Sequence, residues 1–74
     1  MEARTLTLEV LAVRRWRSNQ ERLLLVNFGS VEASVDEFGG GWRALIDSGK
    51  PARLDRGGVV LAARSATVLA RDNT

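Results

Sequence analysis

The sequence predicts an all-β fold, a small antiparallel β-sandwich of about six short strands. Three observations predict it. Eight Val, one Ile and four Thr favour extended backbone. Seven Gly and one Pro punctuate the chain at short intervals. No apolar stripe of helical spacing runs long enough to form a stable helix. Periodicity alone fits a closed barrel as well as a sandwich, and the 74 residues make a single domain over residues 1–74.

Residues 5–17 open as a strict alternation, with Leu6, Leu8, Val10 and Ala12 on one face and Thr5, Thr7 and Glu9 on the other. Leu11 and Val13 then fall opposite that apolar face while Arg14 and Trp16 fall on it, a slip that predicts a bulge near the middle. Residues 18–21 (SNQE) are a polar turn of hairpin length. Residues 22–28 form a second strand with Leu24, Val26 and Phe28 on one face and Leu23, Leu25 and Asn27 on the other. Gly29 and Ser30 end it, and residues 31–35 alternate as a third strand. The loop at residues 36–41 (DEFGGG) carries three glycines that no strand interior tolerates. Residues 42–47 make a fourth strand and residues 48–51 (SGKP) a turn, while residues 52–58 follow neither pattern. Two last strands, residues 58–61 and 66–70, flank residues 62–65. The alanines there suggest helix, but Val59, Val60, Thr67 and Val68 favour strand. Residues 72–74 should fray. The expected core is Leu24, Val26, Phe28, Val68 and at least one of Trp16 and Trp42.

The chain has no Cys and no His. Disulfides and thiol chemistry are excluded, and both the usual general base at neutral pH and the commonest metal ligand are missing. The sequence predicts no catalytic residue, no metal ligand and no cofactor. Eleven basic and nine acidic residues leave a net charge of +2. The pI is nevertheless about 10.4, because ten of the eleven bases are Arg. Acids are spread among the bases and leave Arg14-Arg15-Trp16-Arg17 as the only cluster, so no nucleic-acid partner is expected. No apolar run approaches the ~20 residues of a membrane span, and nothing behind Met1 reads as a signal peptide. The expectation is a soluble, cytoplasmic chain with no membrane partner.

Four features are candidates for chemistry or binding. Asp36, Glu37 and Asp47 are carboxylates beside turns. Sugar hydrolysis needs two carboxylates across a scissile bond, and the adjacent Asp36 and Glu37 point apart in extended chain, so they read as solvated loop acids. Gly39-Gly40-Gly41 lacks the following helix and the Lys of a phosphate cradle, since Trp42-Arg43-Ala44 begins a strand; it reads as a hairpin connection. Trp16 and Trp42 either fill a core short of large side chains or stack on a sugar ring, with stacking on a nucleobase, its phosphates held by Arg14, Arg15 and Arg17 around Trp16, as a third use. The second strand is apolar on both faces. With Leu24, Val26 and Phe28 inward, Leu23 and Leu25 face out as a candidate docking surface for a neighbouring domain or a second copy, unless residues 50–57 fold over them.

Four blocks follow one another along the chain: VLAVRRW (residues 10–16), ERLLLVNFGS (21–30), GWRALIDS (41–48) and VLAARSATVL (60–69). In order and spacing they resemble the C-terminal all-β domain of α-amylase-family glycoside hydrolases, most like the version that ends malto-oligosyltrehalose trehalohydrolase. The resemblance spans residues 8–69, with Ala62-Ala63 standing where the family commonly has prolines. It implies a non-catalytic accessory module, the C-terminal part of a larger enzyme. Such a module packs on the catalytic barrel, with malto-oligosaccharide as a candidate ligand. The family's catalytic carboxylates lie in the upstream barrel and match nothing in these residues. Two other classes stay open beside it: a small basic nucleic-acid-binding barrel and a free-standing carbohydrate-binding module.

Overall fold

A computed structural model describes residues 2–5, 9–17, 19–55 and 57–72. The described residues contain strands and turns and no helix. Eight strands form: β1 (Glu2–Thr5), β2 (Val10–Arg17), β3 (Gln20–Asn27), β4 (Ala33–Val35), β5 (Arg43–Ser48), β6 (Arg53–Asp55), β7 (Gly58–Leu61) and β8 (Ser65–Asp72). They build two antiparallel sheets, one of five strands in the order β1-β2-β3-β8-β5 and one of three in the order β4-β7-β6. The all-β class is as expected. The count rises from six to eight because residues 5–17 do not make one strand and the unpatterned residues 52–58 supply β6.

β3 is the centre of the larger sheet. It pairs with β2 across a tight hairpin, from Arg17↔Gln20 to Val10↔Asn27, and with β8 from Gln20↔Asp72 to Asn27↔Ser65. Asp72 therefore ends a paired strand and does not fray. The eight-residue pairing of β2 with β3 contains no bulge; among the described residues the register shift lies in β5, between Ala44 and Ile46. The alternation of Leu6, Thr7 and Leu8 and the polar turn at Ser18 lie outside the described residues.

The core lies between the sheets, and it uses the face of β3 opposite to the expected one. Leu23, Leu25 and Leu69 are fully buried with Val10 and Ala12, against Val35, Val59 and Leu61 of the smaller sheet. Leu24, Val26 and Val68 are half-buried on the outer face, and Phe28 is 65% exposed just past the end of β3, where its N–H donates to the Glu9 carbonyl. Leu23 and Leu25 are thus the centre of the core and not a docking surface. The smaller sheet covers them, not residues 50–57 alone. The physical reason is that Leu23-Leu24-Leu25-Val26 has no phase of its own. The flanking Glu21 and Asn27 set it, and both point inward because each finds its partners there.

Asn27 shows how. Its side-chain N–H₂ donates to the carbonyls of Val31 (2.9 Å) and Ala62 (3.1 Å), and its side-chain oxygen accepts from Gly29 N (2.9 Å). One buried amide thus ties the exit of β3 to the β7–β8 turn, which Arg64 enters with φ 50° while its N–H donates to the Gly29 carbonyl. Thr67 and Ser65 on the same inner face donate to the Ile46 and Ala62 carbonyls. Among the described residues no buried side-chain polar atom lacks a partner, as the cost of an unmade buried hydrogen bond requires.

Candidate functional site

Next to the β2–β3 hairpin the inner face of the larger sheet carries charge. Glu21 on β3 is only 1% exposed. Arg71 stands directly across from it on β8, and Arg14 reaches it diagonally from β2. The Nε and Nη2 of Arg14 donate to Glu21 Oε2 at 2.9 and 2.6 Å, and those of Arg71 donate to Oε1 at 3.2 and 2.9 Å. Both carboxylate oxygens are therefore held in charge-assisted bonds, the strongest kind available to a side chain.

Arg71 does more than neutralise. Its Nη1 donates to the carbonyls of Phe38 (2.8 Å) and Gly40 (3.0 Å), and its guanidinium lies 4.1 Å from the ring centroid of Trp42. Trp42, 7% exposed, donates from Nε1 to the same Phe38 carbonyl at 3.2 Å. The triple-glycine loop is thereby wrapped round one arginine, with Gly39 (φ 72°) and Gly41 (φ 85°) taking the left-handed conformations that glycine adopts without a steric cost. Arg14 closes the other side, its guanidinium 5.6 Å from the Trp16 ring and 5.9 Å from the Phe38 ring.

This arrangement locks a loop and offers nothing to a reaction. A general acid must hold a proton next to substrate, whereas Glu21 faces two guanidiniums inside the protein. The acids singled out in the sequence are elsewhere. Asp36 and Glu37 are exposed on the glycine loop, and Asp47 accepts from the Ala52 N–H at 3.1 Å, closing the turn into β6. Among the described residues no three metal-ligating side chains converge.

Of the two tryptophans, Trp42 belongs to the core, as expected of at least one of them, and its burial removes it as a sugar platform. Trp16 is 52% exposed near the end of β2. A cleft of about 530 Å³ bordered by Glu32, Lys50, Pro51 and Arg53 has no aromatic ring in its wall. Sequence reasoning missed the Glu21 cluster. Its signal was present in the hairpin, since pairing Arg17 with Gln20 brings Glu21 opposite Trp16 and within a diagonal of Arg14.

Comparison with known proteins gives one family. No curated protein and no solved structure matches the chain. Residues 2–68 match the family described as "Domain of unknown function (DUF3459)". That family is the C-terminal domain found in α-amylase-family enzymes, where it is a non-catalytic accessory domain of glycoside hydrolases. The match covers nearly the whole chain and the β-sandwich is of the expected class, so the chain belongs to the DUF3459 family.

Proposed function

We propose that this chain is the accessory module of an α-amylase-family glycoside hydrolase of the malto-oligosyltrehalose trehalohydrolase type, packing on the catalytic barrel and stabilising it. The observation that carries the reading is the family match over residues 2–68. The order of the four sequence blocks supports the trehalohydrolase type. The Glu21–Arg14–Arg71 cluster supports a structural role, because it spends the buried charge on rigidity. The partner is the barrel of the same polypeptide, and the compartment is the cytoplasm.

The test compares the barrel with and without this module. With the module attached, thermal inactivation of the barrel shifts to higher temperature while kcat stays the same. An unchanged inactivation curve, or reducing sugar or trehalose released by the purified 74-residue chain, overturns the reading. The substrate type is read separately. Trehalose released from malto-oligosyltrehalose by the two-domain enzyme supports the trehalohydrolase type; release of malto-oligosaccharides alone removes that type and leaves the module.

A further inference from the structure

The outer face of the five-stranded sheet is apolar where an open antiparallel sheet ordinarily alternates to polar. The register lines up Val13, Leu24, Val68 and Ile46 across four strands, with Leu11, Val26 and Ala66 in the next row. Ile46 is 65% exposed, and the smaller sheet lies against the opposite face. A contiguous apolar patch of this kind on a single domain marks an interaction surface.

The charges round the patch say what fits it. Arg15, Arg17, Arg22 and Arg43 share this face, and the only acid on it among the described residues is Asp72, which lies 3.7 Å from Arg43. A second copy that meets this face with the same face brings the same arginines, and its one acid there, Asp72, is already paired with Arg43, so like charge meets like charge across the rim. Ile46 alone of these aligned side chains is exposed, the rest being half-buried, so little apolar area protrudes for a lipid surface. A protein surface with an apolar centre and an acidic border matches both features.

We propose that this face, centred on Leu24 and Val68, is the surface that docks on an apolar, carboxylate-bordered patch of the catalytic barrel. The proposal rests on the accessory-module reading and names the face that reading leaves open.

The probe is a purified α-amylase-family catalytic barrel from the source organism, without its own C-terminal domain, titrated with the full 74-residue chain. Leu24→Glu is expected to weaken binding by about tenfold or more, as loss of a central anchor does. Arg15→Glu with Arg22→Glu, made on side chains that carry none of the core, is expected to weaken it comparably at low salt without changing the melting curve. Wild-type binding that both variants retain overturns the choice of face and leaves the module reading standing. Absence of wild-type binding overturns both. Dimerisation abolished by Leu24→Glu, or wild-type binding to phosphatidylcholine–phosphatidylserine vesicles in place of the barrel, assigns the face to another occupant and overturns the proposal.

Discussion

Replacing Glu21 by Ala tests whether the charge cluster holds the glycine loop on the larger sheet. The substitution leaves two guanidiniums facing each other with no anion between them. Removing one partner of a buried ion pair costs about 3–5 kcal/mol. Arg14 and Arg71 keep 34% and 21% of their side-chain surface in solvent, so both can partly rehydrate, and the lower end, about 3 kcal/mol, applies. At roughly 0.05–0.15 kcal/mol per residue a chain of this length has a stability of about 4–11 kcal/mol, so the loss is a quarter to three quarters of the whole. At about 4–8 °C per kcal/mol for a domain of this size, the melting midpoint falls by ~12–24 °C. Urea unfolding followed by tryptophan emission reads it, because Trp42 sits on Arg71. The triple variant Glu21→Leu, Arg14→Met and Arg71→Met should recover much of the loss, since an apolar replacement removes the uncompensated charge. A loss below about 1 kcal/mol for Glu21→Ala, with an unchanged denaturant slope, refutes the clamp.

Three further outcomes follow from the same packing. A Cβ at Gly58 overlaps the Val35 carbonyl oxygen of the neighbouring strand, whereas one at Gly29 meets mainly the flexible Glu9 carboxylate; thermal melts should show Gly58→Ala the more destabilised by at least about 1 kcal/mol, and equal losses refute the strand contact. Asn27→Ala removes three hydrogen bonds from a buried site and should cost roughly 2–3 kcal/mol, with faster hydrogen exchange at the Gly29 amide as the local signature. If the chain makes no sugar contact of its own, maltoheptaose should leave the emission of Trp16 unchanged; a saturable shift that Trp16→Phe abolishes would favour the carbohydrate-binding module.

Much of the fold was legible because turn residues and β-branched residues do local work. The Gly29 and Gly39-Gly40-Gly41 breaks, the run at Gly58–Leu61 and the β2–β3 hairpin all fall where side-chain sterics put them. The phase of β3 was not legible from alternation, and the reason is specific. Alternation assigns polar residues to water, which puts Asn27 outside together with Leu23 and Leu25 and makes Arg14 and Trp16 a slip of phase. In the folded chain Glu21 and Asn27 sit on the inner face because partners from distant strands satisfy them, Arg71 across fifty residues and Ala62 across thirty-five. Pairings at that separation leave no local periodicity to read. In the observed phase the surplus apolar face of the LLLV run is Leu24 and Val26, so the exposed apolar surface lies there and not at Leu23 and Leu25.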